Sequence, residues 1–120
     1  MGRRVCFALD LVDDAALIAA YESAHAAGAV WPEVVEGIRA TGFEAMEIWR
    51  AGDRMVMVAE VADDWPRPKP ARLAAADARW EAAMDGFQKR LAFAPPDQKW
   101  VPMTRLFALD EQQDQGVTDR

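Results

Sequence analysis

The sequence predicts an α+β sandwich: a four-stranded antiparallel β-sheet with helices on one face. Three observations carry that reading. Segments 5–11, 43–50 and 54–61 alternate side chains with the two-residue period of strands. Ala-rich stretches ending near His25 and Leu91 repeat their apolar residues at helical spacing. The resulting order, β-α-α-β-β-α-β, reduces to a split βαβ pattern when the two short helices count as one broken crossover.

Taken in order, Val5, Phe7, Leu9 and Leu11 alternate with Cys6, Ala8 and Asp10, the pattern of a strand with one strongly apolar face. Asp13 and Asp14 then offer an N-cap to a helix in which Ala16, Leu17, Ala20, Tyr21, Ala24 and His25 recur until Gly28. Pro32 follows Trp31 at a natural first helical position, and Glu33 puts an acid in the first turn. Val34, Val35 and Ile38 form an apolar stripe ending at Gly42. Ala51-Gly52-Asp53 supplies a hairpin turn between the second and third strands.

Asp63 to Pro70 carries three prolines and reads as a loop. The next helix is expected over 71–91, with Leu73, Ala76, Trp80, Met84, Phe87 and Leu91 as its buried stripe. Pro95-Pro96 breaks the chain, and Trp100 to Leu109 reads as the last strand. Residues 1–110 are therefore expected to form a single domain, and residues 111–120 a polar, mobile tail. The sheet face without helices is expected to remain partly apolar, as the Met-rich third strand suggests. Burial in a two-fold homodimer is the expected solution.

Composition narrows the function classes. The 120 residues fit one domain, and 52% hydrophobic content suffices for a core without metal or disulfide support. Cys6 is the single cysteine, so no intrachain disulfide is possible and a reducing compartment, the cytoplasm, is expected. The net charge of −6 without a basic cluster argues against a nucleic-acid partner. No apolar run approaches the roughly 20 residues a membrane helix needs, so a membrane partner is not expected either.

Tyr21 and His25 are the pair that points to chemistry. Residues four apart stack on one helical face. His25 is the only histidine, and imidazole has an unperturbed pKa of about 6.5, which suits proton exchange near neutrality. A lone helical histidine is more often structural, but here Trp31 follows just beyond the turn and Trp80 recurs on a later helix. Flat rings of this kind stack on the C–H faces of sugars, although they also fill small cores effectively. Glu33, Glu60 and Glu81 are candidate bases. Of these Glu60 shares a strand face with Val56 and Val58, and an ion pair with an arginine is an equal expectation for it. Trp49, Trp65 and Trp100 are assigned to core, loop packing or a dimer contact. With no phosphate-binding glycine loop, and one His distant from one Cys, neither cofactor nor metal is expected.

Tyr21-x-x-x-His25, then Trp31-Pro32-Glu33, Gly42, a hairpin, Arg79-Trp80 and Met84 together resemble the L-rhamnose mutarotases over residues 3 to 109. These are small, dimeric, ferredoxin-like proteins of the dimeric α/β barrel type that interconvert the α and β anomers of a 6-deoxy-sugar. The resemblance implies that His25 is the proton donor, that Tyr21 contacts the sugar, and that Trp80 is the first of a tryptophan pair on the substrate. Trp31 is expected beside it. Three departures bear on substrate identity: the gap from His25 to Trp31 is two residues longer, Glu81 stands at the second tryptophan, and Met46 stands where a tyrosine is expected.

The implied function is anomer exchange of L-rhamnose or a related 6-deoxy-sugar such as L-fucose by general acid–base catalysis. This chemistry needs no redox group, and one positioned histidine contributes about 10²–10⁴-fold. A cofactor-free monooxygenase-like or small-ligand-binding domain of the same architecture is the alternative, because fold alone does not fix function. Polarity separates the two: a polyketide-type ligand wants an almost wholly apolar pocket, whereas a sugar needs several convergent hydrogen-bonding groups.

Overall fold

The structure, a computed structural model, describes residues 2–112. Strand β1 (Arg3–Leu11) is followed by helices α1 (Ala15–Ala24) and α2 (Pro32–Ala40), then by the hairpin β2 (Phe43–Ala51) and β3 (Arg54–Val61). A 3₁₀ turn (Ala71–Leu73) leads into α3 (Ala74–Asp85). Two short strands, β4 (Gln88–Lys89) and β5 (Val101–Pro102), and a 3₁₀ turn at Leu109–Glu111 complete the order. The sheet is antiparallel, with β2, β3, β1 and β4 side by side and β5 also paired to β1.

The helix boundaries follow local chemistry. Asp14 caps α1, its carboxylate accepting from Leu17 N at 3.0 Å. Trp31 is the N-cap of α2, where Pro32 loses nothing by lacking an N–H at a position whose donor would be unpaired. Gly52, at φ 60°, occupies the first central position of a two-residue turn between Ala51 and Arg54, the sign a II′ hairpin requires. Asp63 to Pro70 is a loop, as expected, and contains a cis Trp65–Pro66 bond.

Odd-numbered residues of β1 and β3 face all three helices. Leu9, Leu11 and Met55 cluster with Tyr21 of α1, Val34 of α2, and Trp80 and Met84 of α3. The methionines of β3 therefore belong to this core, with Met55 only 1% exposed. The apolar content of the opposite face comes instead from Ala8, Val56, Val58 and Val101, which alternate with them or pair beside them.

Three expectations are corrected around the fourth strand position. The sheet has five strands and does not close into a barrel. Asp10 opposes Lys89, but Ala8, two residues back, opposes Val101. The edge is thus two fragments separated by the excursion 90–100. The helix expected to reach Leu91 stops at Asp85 because the following segment pairs with the end of β1: Val12 N donates to Phe87 O at 2.8 Å, and Gln88 opposes Leu11. Leu91 is buried, but outside the helix. The strand expected over 100–109 is limited to β5, with Met103 N donating to Cys6 O at 2.8 Å. Pro102 supplies no donor, and Thr104–Ala108 leave the sheet. Of the tail expected from 111, residues 113–120 lie outside the described residues.

Candidate active site

The helices seat over β1 and β3 and leave the inner side of edge strand β2 uncovered. A cavity of about 750 Å³ opens there, floored by Phe7, Met57, Met46 and Ile48 and walled by α2 and α3. A β-bulge between Phe43 and Ala45 shifts the register so that Glu44 becomes an extra residue at the rim. His25 and Tyr21 enter from the end of α1, and Trp80, Glu81 and Met84 from α3.

His25 sits at the C-cap of α1. Its Nδ1 lies 2.8 Å from the carbonyl oxygen of Tyr21, and since a carbonyl only accepts, Nδ1 carries the proton and donates. The exchangeable position is then Nε2. The imidazole lies against the Tyr21 ring, centroids 4.2 Å apart, and edge-on to Trp80 at 5.4 Å. Both ring directions are thus packed, and the imidazole has one plane to occupy.

Tyr21 is buried, and its hydroxyl accepts a hydrogen bond from the Gln88 amide at 3.1 Å. Burial pushes the Tyr21 phenol above its ordinary value, and the Gln88 bond offsets part of that. At neutral pH the hydroxyl is therefore protonated and can donate its own hydrogen. Gln88 Oε1 is itself buried without a hydrogen-bond partner among the described residues, so this end of the cavity holds unused acceptor capacity.

Trp31 does not line the cavity. It supports the wall from behind, edge-on to Trp80 at 5.2 Å, with the Arg79 guanidinium 5.9 Å over its own ring. Glu81 does line the cavity, and Lys99 holds it at 2.9 Å while also meeting Asp85 at 2.6 Å. Burial works to lower the Lys99 pKa, but the hydrogen bonds to Asp85 and Glu81 outweigh it and the net direction is up. Met46 lies on the inner side of β2, at the floor. Glu60 is on the far sheet face, paired with Arg4 at 3.0 Å, which matches its structural reading. Glu33 stays in the first turn of α2 and is not part of the lining.

Sequence reasoning missed Trp65, Trp100, Lys69, Asp77 and Gln88, all of which reach the cavity. Asp77 carried a usable signal, since it lies three and four residues before Trp80 and Glu81 and shares their helical face. Nothing local marked Gln88 or Trp100, which the edge-strand excursion delivers. No group of three or more His, Cys, Asp or Glu side chains suited to a metal ion occurs among the described residues. No helix among them is long and apolar enough to cross a membrane.

Fold and site together define a small α+β sandwich whose helix–sheet gap holds one histidine among aromatic walls and several convergent polar groups. Over residues 4–109 the chain matches the family model for L-rhamnose mutarotase. It is similar to an L-fucose mutarotase of Xanthomonas campestris pv. campestris, 46% identical over 112 residues, covering 91% of this chain and 90% of that protein. A UPF0734 protein of Dictyostelium discoideum is 33% identical over 110 residues, 86% of each chain. The fold of this chain is also that of the crystal structure of an L-rhamnose mutarotase from Formosa agariphila. That match has a TM-score of 0.64 and 18% identity, and covers 89% of this chain and 98% of that one. The chain belongs to the L-rhamnose mutarotase family, and is accordingly an isomerase that interconverts sugar anomers.

Proposed function

We propose that the substrate is a 6-deoxy-hexose, L-fucose in the first place and L-rhamnose in the second. The preference rests on the 46% identity to the L-fucose enzyme across nine-tenths of both chains. Polar groups in the cavity favour a sugar over a polyketide-type ligand, because His25, Tyr21, Gln88, Asp77, Lys69 and Glu81 all line it.

His25 carries the chemistry in this reading. The observation behind it is the Nδ1–H bond to Tyr21 O, which assigns proton exchange to Nε2 on a ring packed between Tyr21 and Trp80. His25 Nε2 takes the proton of the anomeric hydroxyl and, as imidazolium, hands it to the ring oxygen as the C1–O5 bond opens to the aldehyde. Rotation about C1–C2 turns the other carbonyl face to the 5-hydroxyl, and ring closure with reverse proton transfers gives the second anomer. Tyr21 and Trp80 contact the sugar; Met46 and Glu81 border it; Trp31 acts by backing Trp80.

Exchange NMR on L-fucose tests this. His25→Ala is expected to slow enzyme-catalysed exchange by about 10²-fold or more with the fold intact, and Tyr21→Phe to cost less because it keeps the ring. A His25→Ala protein as fast as wild type removes His25 from the mechanism. The working unit in this proposal is a single domain over residues 1–110, assembled as a homodimer through the sheet face without helices. There Trp49 and Phe93 are 64% and 71% exposed. The lone thiol of Cys6 supports a reducing, cytoplasmic setting.

A further inference from the structure

The cavity holds an ion pair that the proton-transfer chemistry leaves unused. Lys69 Nζ lies 2.6 Å from Asp77 Oδ1, and both residues line the cavity wall. Their side chains are 29% and 31% exposed, against 66% and 49% for the surface pair Arg72–Glu36. The stem of the lysine packs beside a glycine of α2. Gly37 of α2 is buried, and a Cβ on it would stand 3.6 Å from Lys69 Cε and 3.7 Å from Cδ. The Lys69 stem thus runs across the bare backbone at Gly37. Asp77 lies on α3 three residues before Trp80, about 4.5 Å along the axis at 1.5 Å per residue.

Holding each other costs this pair one carboxylate oxygen and one N–H. An ammonium has three donors and a carboxylate two acceptor oxygens, so Asp77 Oδ2 and two Lys69 N–H bonds are left. Adjacent donor and acceptor groups of opposite charge suit two neighbouring sugar hydroxyls, one donating to Asp77 and the next accepting from Lys69. Trp80 touches His25, and Asp77 is one helical turn farther along the same face. With C1 at His25, the hydroxyls across the pyranose ring, at C3 and C4, fall on this side.

We infer that Lys69 and Asp77 form the specificity clamp of this enzyme, gripping the 3- and 4-hydroxyls of the sugar while His25 works at C1. L-fucose and L-rhamnose differ in configuration at C2 and C4, so the clamp reads one of the two centres that separate them. This inference rests on the mutarotase reading above.

The test measures anomer exchange of L-fucose and 4-deoxy-L-fucose by saturation-transfer NMR in wild type, Asp77→Asn, Lys69→Met and the charge swap Lys69→Asp/Asp77→Lys. Removing one charge-assisted hydrogen bond is expected to raise KM about tenfold or more. Wild type should show that penalty with 4-deoxy-L-fucose. Asp77→Asn and Lys69→Met should show it with L-fucose, with a smaller fall in kcat, and should discriminate less between the two sugars. The charge swap rebuilds the ion pair but exchanges donor and acceptor. A clamp predicts restored thermal stability with KM still high, whereas recovery of KM by the swap would make the pair structural and overturn the proposal. An unchanged KM for L-fucose in Asp77→Asn, with wild type active, overturns the clamp alone. A wild-type protein that accelerates exchange of no 6-deoxy-sugar overturns the mutarotase reading and the clamp with it.

Discussion

His25 is oriented by its own helix before any distant neighbour touches it, because the carbonyl it needs belongs to Tyr21 one turn back. Tyr21 depends on a partner far along the chain, Gln88, and on burial beneath the helices. It is the only tyrosine, so tyrosinate absorbance reports this residue alone. We expect its midpoint above the ordinary 10.0, and higher still in Gln88→Leu, which removes the interaction that lowers it. A midpoint at or below that value would show a solvated ring. A phenol whose folded pKa is raised contributes stability that is complete below its unfolded pKa and is lost as pH rises through the folded one. Lys99 is shifted upward as well and loses its contribution in the same alkaline direction, from an ordinary value of 10.5.

At the scale of elements, local signals and long-range pairing divide the boundaries between them. Asp14 begins α1 through its own side chain, and Asp14→Ala should cost about 1 kcal/mol in denaturant unfolding, with little effect on the cavity. Gly42 ends the α2 segment at φ 112°, where an added Cβ would stand 3.1 Å from Trp65 Cβ. Gly42→Ala should therefore destabilise by about 1–3 kcal/mol. It should also displace Trp65, a wall of the cavity, so weakened sugar binding is expected alongside the lower midpoint; an unaltered midpoint would show that the loop yields freely. The end of α3 obeys a different rule. Phe87 and Leu91 continue a readable helical stripe, yet pairing of Gln88 and Lys89 with the end of β1 takes that backbone into the sheet.

For the whole molecule, the sheet face opposite the helices presents exposed apolar side chains. Ala8, Val56 and Val101 meet Phe93 and Met103 in a shallow groove there, and Trp49 stands beside it on β2. A single charge at this surface should disfavour association strongly, since interface cores are depleted in charged residues. We expect wild type to scatter as a dimer at micromolar concentration and Phe93→Glu as a folded monomer. A wild-type monomer with an intact fold would leave that face without a partner of its own kind.

The strand and helix types, the hairpin, the proline loop and the helix-covered sheet were all legible from period, caps and turn residues, because each depends on neighbours a few positions away. The Tyr21–His25 pair was legible for the same reason: four residues along a helix is one turn in space. What only the tertiary structure decided was how distant segments share one cavity. Trp31 was a reasonable sugar contact by position, yet it lies behind Trp80. Lys69, Asp77, Gln88 and Trp100 come from a loop, a helix, an edge strand and an excursion. The split of the last strand was equally invisible, since the choice between continuing α3 and pairing with β1 rests on backbone hydrogen bonds to residues some 77 positions away, Gln88 opposite Leu11. Pattern in a chain reports which face is apolar; which faces meet, and what gap they leave, is set by packing among all of them.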